Sequence, residues 1–563
     1  MHQSPTLSFI LNIPLLCDEI AFSLSPNDLA QCLLVNSAWN SAFAPLLWNS
    51  IFLSNQRVVS LFQTSPAVQQ GLQRNADYVR SIHSVFCYAF QSFPETTPFR
   101  SLVRLDSLAS ELHNKGIVDH TNTQRLLRFI KVNTNLREIV LSNFPLGSVP
   151  TSKLLGDTIA HHPNLVSASI NSFRAAELSS VQHVLRGSAL GRLEKLSLIN
   201  RSNIKLSEDH QDGIDTLNEP GSAPFQLLPE GHIATRLRDL TLDANLISSL
   251  HATLLPMLRH CRNLERLFVP WTDVETSYKE LCPVLEQFCP KLQHLTGGYH
   301  YGSRDEHQAM LLRSCQHLRT YIMGGPQPIG PLSIAALLDH RHSQTLETLD
   351  IKHCSAIESR HIQLILTSCP NLASFRSLTD TENQYEYESR LDISDLPLRS
   401  GAGPAWVCKG LKDLRIGFTG FSTLLDKEPV QPYVDYIFRQ LSVLTNLQTL
   451  YLAGETTATA FSASSRAWAF DFSLASGLGR LQSLRMLTTL NIQRLRHHRI
   501  GKGEAEWMIR HWPLLRRLYV QPELSRVENM GYNGDTIHED RTLTGFLEEL
   551  VRCRPSLTVS VGA

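Results

Sequence analysis

The chain has 563 residues, which is too long for one globular core and predicts several domains or an array of repeats. Its residues are 42% hydrophobic and its formal net charge is +0, so we expect an ordered protein without general attraction to nucleic acid or acidic membranes. No secretory signal precedes Asp18-Glu19, no apolar run reaches the roughly twenty residues of a membrane span, and the 11 cysteines form no CxxC pair. We therefore expect a cytoplasmic or nuclear protein with free thiols.

Two short helices are the first predicted elements. Pro14 suits the first turn of a helix because its φ is fixed, and Ser25-Pro26-Asn27-Asp28 has the order of an N-cap, N1, N2 and an acidic N3. Ala44-Pro45 interrupts the helical pattern. A segment this short carries more large apolar residues than it can bury against itself, which predicts a docking surface for a partner. The large apolar residues after the second cap are Leu29, Leu33, Val35, Trp39, Leu46, Leu47 and Trp48.

The order of these residues resembles the F-box, by which substrate receptors dock on the Skp-type adaptor of cullin-based ubiquitin ligases. The resemblance covers residues 10–53, where isoleucine replaces the usual first leucine and Leu16 stands where a glutamate is common. The alternative is an ordinary three-helix cap whose tryptophans are core residues. The matching positions are Ile13-Pro14, Glu19-Ile20, Asp28-Leu29, Val35, Trp39 and Leu47-Trp48. The adaptor contacts that the resemblance implies are Ile13, Pro14, Leu15, Leu16, Ile20, Leu29, Leu33, Val35, Trp39, Leu47 and Trp48.

Residues 54–120 carry weaker signals. Tyr78, Val79 and Ile82 could form a degenerate first strand, and we interpret the region as a linker and an N-terminal cap for a solenoid of repeats.

From residue 121 to residue 563 the pattern Leu-x-x-Leu-x-Leu recurs, with many neighbours about 26 to 29 residues apart, which is the period of leucine-rich repeats. Alternate apolar residues of each short strand point inward, and the preceding helix supplies the opposite wall. Clear copies begin at Leu136, Leu193, Leu237, Leu264, Leu346, Leu411, Leu447, Leu487 and Leu515. Weaker copies begin at Leu165, Leu292, Leu318, Leu372 and Leu557.

Cysteines recur three residues before the first leucine of several copies, at Cys261, Cys289, Cys315 and Cys369. We interpret them as small buried residues at a fixed place in the repeat. This form is similar to the cysteine-containing leucine-rich repeats that follow F-boxes, and it resembles fungal members of that family. The expected fold class is therefore α/β: a short all-α F-box followed by a horseshoe-shaped solenoid with parallel strands on its concave face.

The spacing of the repeats lengthens at four places, which predicts loop insertions near residues 207–231, 379–403, 453–469 and 523–539. Most loops of this kind are solvated and have no binding role.

Strand alternation predicts which side chains point away from the core. If Leu267 and Val269 point inward, Phe268 points outward, and the same rule places Tyr451 and Tyr519 outward. Aromatic rings combined with arginines suit an acidic or phosphorylated segment. The alternative is that the insertions cover this row and bury the rings. The candidate substrate-binding residues are Phe268, Asp350, Arg376, Arg415, Tyr451, Arg517 and Tyr519.

Motifs for chemistry are weak throughout the chain. The pairs His161-His162 and His497-His498, and the group His294, His300 and His307, lack metal-ligand spacing, and we expect exposed turn histidines. Gly501-Lys502-Gly503 lacks the rest of a phosphate loop. We expect no catalytic residues, no metal and no cofactor.

The two resemblances together imply a substrate-recognition subunit that performs no chemistry itself. The F-box would bind the Skp-type adaptor, through it a cullin scaffold, and the solenoid would hold an unknown protein target for ubiquitination; no nucleic acid or membrane partner is expected. Two alternatives stay open: an F-box scaffold or trafficking adaptor without ubiquitin transfer, and a leucine-rich-repeat regulator of a small GTPase.

Overall fold

The computed structural model describes residues 13–84, 93, 99–108, 120–144, 149–171, 178–199, 236–242, 250–269, 275–297, 304–323, 329–339, 342–354, 356–378, 388–396, 404–421, 430–454, 472–495, 500–520 and 541–561. They form two compact units, Met1–Leu267 and Phe268–Ala563. Within those residues, no helix combines the length and the apolar character that a bilayer crossing demands.

The first unit opens with three short helices whose starts follow local capping chemistry. They are α1 (Pro14–Ser23), α2 (Pro26–Cys32) and α3 (Ser37–Trp48). Ser25 and Asp28 form the predicted capping box, because the Ser25 hydroxyl accepts from the Asp28 N–H and the Asp28 carboxylate accepts from the Ser25 N–H. Asn36 caps α3 by accepting from the Trp39 N–H at 2.9 Å. The expected break at Ala44-Pro45 is wrong, since α3 continues through Pro45 to Trp48.

Parallel strands alternate with helices in the rest of the first unit, and each strand pairs with the next one along the chain. The strands are β1 (Ser50–Leu53), β2 (Ser81–Ser84), β3 (Arg104–Leu108), β4 (Glu138–Ser142), β5 (Ser167–Asn171), β6 (Lys195–Ile199) and β7 (Asp239–Leu242), and the unit ends within β8 (Arg266–Val269). The helices are α4 (Gln56–Thr64), α5 (Pro66–Asn75), α6 (His120–Val132), α7 (Val149–His161), α8 (Leu178–Leu190) and α9 (Leu250–Leu258).

The parallel sheet therefore begins earlier than the sequence predicts. Strand β1 lies inside the segment assigned to the F-box, and β2 and β3 lie inside the segment assigned to a linker and cap. Ile82 occupies β2 as expected, whereas Tyr78 lies in a short 3-10 helix. The degenerate strand expected around Ile82 corresponds to β2, whereas β1 and β3 escaped detection because they lack the full Leu-x-x-Leu-x-Leu spacing.

In the second unit the parallel pairing runs from β9 to β18. The strands are β9 (His294–Gly297), β10 (Thr320–Met323), β11 (Thr348–Asp350), β12 (Ser374–Arg376), β13 (Arg390–Asp392), β14 (Asp413–Thr419), β15 (Thr449–Ala453), β16 (Thr489–Arg494), β17 (Arg517–Val520) and β18 (Thr558–Val561). The helices are α10 (Glu275–Phe288), α11 (Asp305–Ser314), α12 (Pro331–Asp339), α13 (His342–Thr345), α14 (Ser359–Ser368), α15 (Gln431–Ser442), α16 (Lys502–His511) and α17 (Arg541–Cys553).

The strand pairing aligns the central apolar residues of successive repeats, which confirms the predicted register. These residues are buried because alternate side chains of each strand face the helices. In the first unit the aligned residues are Ile51, Ile82, Leu105, Ile139, Ala168, Leu196 and Leu240. In the second unit they are Leu295, Tyr321, Leu349, Phe375, Leu414, Leu450, Leu490 and Leu518.

One predicted insertion returns to the sheet. Strand β14 is seven residues long; β12 pairs with its first half, and β13, which lies within the predicted insertion 379–403, pairs with its second half. Insertions 207–231 and 523–539 lie outside the described residues, as does insertion 453–469 after Gly454.

A recurring turn connects many of the helices to the following strand. The N–H of the first repeat leucine donates to the carbonyl three residues earlier, for example from Leu264 to Cys261 at 3.1 Å and from Leu411 to Cys408 at 3.0 Å. The residue at this place is buried in most repeats, whereas Arg554, whose carbonyl accepts from the Leu557 N–H, is half-buried. The buried residues at this place are Asn133, His162, Cys261, Cys289, Cys315, Cys369, Cys408, Leu444, Leu484 and Trp512.

Candidate interaction surfaces

The three N-terminal helices leave large apolar side chains in solvent. Phe22, Leu34 and Leu15 are 91%, 78% and 76% exposed, the highest values among large apolar residues of the described chain. Leu15 and Phe22 are seven residues apart, so they share one face of α1. Leu16, Ile20 and Val35 are also exposed. A module of this size cannot cover these side chains itself, which agrees with the surplus predicted from the sequence.

The predicted adaptor contacts divide into exposed and packed residues. Leu15, Leu16, Ile20 and Val35 are exposed, whereas Leu29 is buried within the module. The half-buried contacts are Ile13, Leu33, Trp39, Leu47 and Trp48, and the side chain of Pro14 lies outside the described residues. The tryptophans serve packing as well, because Trp39 lies 5.5 Å from the ring of Phe43 and Trp48 lies close to Gly71. Phe22 and Leu34 were missed because neither has a place in the family pattern.

The outward row of the second unit follows the register predicted from alternation. Across neighbouring strands, Asp350 lies opposite Arg376, Arg376 opposite Arg415, and Arg415 opposite Tyr451. Tyr451 lies opposite Asn491 of β16, which lies opposite Tyr519 of β17. Strand pairing thus brings most of the candidate substrate residues into one line. Phe268 is half-buried on β8.

Two of the candidate arginines already hold a carboxylate. Arg376 donates from Nε to Asp413 at 2.7 Å and from Nη2 at 2.6 Å, and Arg415 Nε lies 3.3 Å from the other oxygen of Asp413. Asp350 is buried and lies 3.6 Å from Lys352 Nζ. The sequence missed these partners because Asp413 comes from a different repeat than Arg376. The centre of the row is therefore a set of internal ion pairs.

Tyr451 does not point into solvent, so the expectation that it lies exposed is wrong. Its side chain is 7% exposed and packs with Leu378 and Ala453. Beside it, β13 brings in Arg390, whose guanidinium forms an ion pair with Glu388 at 2.9 Å and donates to the Gly454 carbonyl. The side chains of Arg390 and Glu388 are 9% and 0% exposed. Tyr451 is therefore a packing residue rather than an exposed aromatic anchor.

Arg517 and Tyr519 keep the accessibility that the sequence predicts. Arg517 is exposed and Tyr519 is half-buried at the outward side of β17. Their neighbours Leu518 and Val520 are buried, as alternation requires.

The histidines give no metal centre within the described ranges, where no group of three His, Cys, Asp or Glu could hold a metal ion. His162 contradicts the expectation of an exposed turn residue, because it is buried and its Nε2 lies 3.1 Å from the Asn133 carbonyl of the preceding repeat. Burial lowers the pKa of His162. His307 stacks on Tyr278 and His294 Nδ1 lies 2.9 Å from Thr320 Oγ1, while His300 and His497-His498 fall outside the described residues.

Gly501-Lys502-Gly503 opens α16 rather than a phosphate loop. The Gly501 N–H donates to Glu504 Oε2 at 2.9 Å, and the other oxygen of Glu504 accepts from the Leu474 N–H at 3.1 Å. A carboxylate from the chain itself thus occupies the position where an anion would bind.

The repeat cysteines are structural. Cys261, Cys315 and Cys369 are buried, and burial raises the pKa of each thiol to about 12. A thiol with so high a pKa is a poor nucleophile at neutral pH.

No protein-family model matches the chain, and no curated protein matches it. Among solved structures, the chain is similar to the crystal structure of the Rad7 and Elc1 complex in yeast. The TM-score is 0.41 and the sequence identity is 14%, over 92% of this chain and 91% of that chain. A likeness this remote carries no information on partners or activity, so the resemblance of residues 10–53 to the F-box remains a prediction.

Proposed function

We propose that this chain is the substrate-recognition subunit of a Skp-cullin-F-box ubiquitin ligase. The observation that carries the proposal is the position of the three large apolar residues most exposed in the described ranges, Leu15, Phe22 and Leu34. All three lie in the segment whose residue order resembles an F-box. Apolar side chains left in solvent on a small helical module favour a constitutive protein partner over a free monomeric surface.

In this proposal the N-terminal helices bind the Skp-type adaptor, which connects the chain to a cullin scaffold. The repeats hold a protein target, and ubiquitin transfer is accelerated because the assembly brings the target close to the conjugating enzyme. The chain itself catalyses nothing and works in the cytoplasm or the nucleus. The parallel repeats support this role, because each repeat adds an outward strand surface beside that of its neighbour.

Adaptor binding is tested by replacing Leu15 and Leu34 with Ser in the full chain and measuring binding to a recombinant Skp-type adaptor. Central apolar contacts of an interface contribute about 2 kcal/mol or more each, so we expect the loss of both side chains to weaken binding by roughly several hundredfold. The matched control replaces Leu332 and Leu364, which are exposed on helices of the second unit, with Ser. Equal binding by wild type and both double variants would contradict the proposal.

Ubiquitin transfer needs a separate experiment. The full chain and a variant without residues 10–53 are purified from cells under proteasome inhibition, and associated proteins are identified by mass spectrometry. We expect ubiquitinated partners with the full chain, and the same partners without ubiquitin when residues 10–53 are absent. Adaptor binding without any ubiquitinated partner would indicate a scaffold or trafficking adaptor instead.

A further inference from the structure

Charged residues in the second unit are paired along most of the sheet. Arg319 lies 3.3 Å from Glu347, and Arg376 and Arg415 share Asp413. The pairs of Arg319 and Arg376 join neighbouring repeats and the pair of Arg415 lies within β14, so together they neutralise the surface that they cover.

The last repeats differ from this pattern. Arg485, Arg516 and Arg517 are exposed, and their side chains form no ion pair with any part of the chain that the structure describes. Strand pairing places Arg517 beside Thr489, and the Arg516 N–H donates to the Thr488 carbonyl, so the neighbouring positions on β16 carry no charge. Three guanidinium groups without an ion-pair partner among the described residues therefore lie on adjacent repeats.

In these last repeats, apolar side chains also occupy a position that is polar in earlier repeats. In other repeats the residue directly before the first leucine is often an asparagine that bonds the preceding repeat. Asn371 Nδ2 donates to the Gln344 carbonyl at 2.6 Å and Asn446 Nδ2 to the Lys409 carbonyl at 3.1 Å. Met486 and Leu514 occupy the equivalent position in the next two repeats and are 44% and 40% exposed. Met486 lies three residues before Thr489, and Leu514 lies three residues before Arg517. Because Thr489 and Arg517 lie opposite each other on neighbouring strands, Met486 and Leu514 occupy equivalent turns of adjacent repeats.

We propose that Arg485, Met486, Leu514, Arg516, Arg517 and Tyr519 form a docking surface for an acidic segment of the target protein that carries apolar side chains. The proposal rests on the function proposed above and locates the target on the last repeats. Charge complementarity selects the partner, because unpaired guanidinium groups bind carboxylates with two hydrogen bonds each. Met486, Leu514 and the half-buried ring of Tyr519 then provide the contacts that exclude water.

The test uses the full chain and three fluorescein-labelled twelve-residue peptides, observed by fluorescence anisotropy. Their repeating units are Glu-Glu-Leu-Ser, Glu-Glu-Ser-Ser and Lys-Lys-Leu-Ser. We expect the first peptide to bind most tightly, the second more weakly and the third not at all. Added salt weakens binding of the first peptide, because exposed charge pairs are screened. A twelve-nucleotide single-stranded DNA serves as a competitor.

Two variants separate the charged and apolar contributions. Replacing Arg516 and Arg517 with Ala is expected to weaken binding of the Glu-Leu peptide by about tenfold or more. Replacing Met486 and Leu514 with Ser is expected to reduce its affinity to that of the Glu-Ser peptide. The matched control replaces Arg313 and Arg439, which are exposed in the last turns of α11 and α15, with Ala.

Equal affinity for all three peptides, unchanged binding by the Arg516 and Arg517 variant, or preferential binding of the oligonucleotide would overturn this inference. Adaptor binding is measured on the same variants. An adaptor that still binds while peptide binding fails would contradict the docking surface alone and leave the proposed function intact.

Discussion

The three N-terminal helices and the repeats differ in how far their large apolar side chains are exposed to solvent. In the repeats, the aligned residues such as Leu240 and Leu450 are fully buried. In the helical module, Leu15, Phe22 and Leu34 remain largely in solvent. Both segments are rich in leucine, so leucine content alone does not distinguish them. The difference indicates that apolar residues stabilise the fold in the repeats and are available for a partner in the module.

Cysteine reactivity gives the largest expected contrast between the two regions. Burial raises the pKa of Cys261, Cys315 and Cys369 to about 12, whereas Cys32 of the module is half-exposed. Because the thiolate is the reactive form, the pKa rise alone predicts alkylation of the repeat cysteines slower by about a thousandfold. Iodoacetamide labelling of the folded protein, followed by peptide mass spectrometry, measures the rates. Labelling in denaturant is the control, and equal rates in the folded protein would contradict the contrast.

Removal of core side chains gives the next effect. Leu240→Ala and Leu450→Ala each leave a cavity in the aligned core of a different unit, so we expect a loss of about 2 to 5 kcal/mol in the free energy of unfolding. Denaturant unfolding followed by circular dichroism measures the loss. A cost below about 0.5 kcal/mol at both positions would show that these leucines are not core residues.

The sequence predicted this aligned core well, because the leucine spacing is a local pattern with a fixed period. It failed for Tyr451, whose side chain packs against Leu378 of another repeat, a contact that no local spacing indicates. It also could not distinguish Arg376, which pairs with Asp413 of the next repeat, from Arg517, which has no ion-pair partner among the described residues, because such partners come from a neighbouring repeat. In the module, Leu15 and Val35 were predicted as surface residues and Phe22 was missed.

His162 provides a prediction that depends on pH. Burial lowers its pKa, so the folded protein keeps the ring neutral while the unfolded chain takes up a proton below the ordinary value of 6.5. The contribution of His162 to stability is therefore full above that value and decreases as pH falls toward its lowered pKa. We expect His162→Asn to cost about 1 to 2 kcal/mol at about pH 8, because its bond to the Asn133 carbonyl is weakened.

The diagnostic measurement is the difference in unfolding free energy between wild type and His162→Asn at two pH values, about pH 8 and about pH 5. We expect the difference to shrink at the lower pH. A difference that stays constant would mean that His162 titrates equally in both states. Asn is the chosen replacement because Asn133 occupies the same place in the preceding repeat.

The asparagine bonds between repeats are expected to contribute less. Asn164 Nδ2 donates to the Thr134 carbonyl at 3.0 Å, and Asn446 makes the equivalent bond in the second unit. Both residues are exposed, so Asn164→Ala and Asn446→Ala should each cost about 0.5 to 1.5 kcal/mol. Unfolding of each variant in denaturant measures the cost, and Asn371→Ala repeats the test at a third position. No measurable cost at any of the three would show that solvent replaces these bonds fully.

The smallest effect is expected at the exposed leucines of the N-terminal module. Leu34→Ala removes a side chain that is already 78% exposed, so we expect the free energy of unfolding to change by less than about 0.5 kcal/mol. The buried Leu29, one of the predicted adaptor contacts, is the matched control in the same module, because Leu29→Ala should cost about 2 kcal/mol or more. If both substitutions cost the same, Leu34 is covered in the free protein and the apolar surface of the module is not available to a partner.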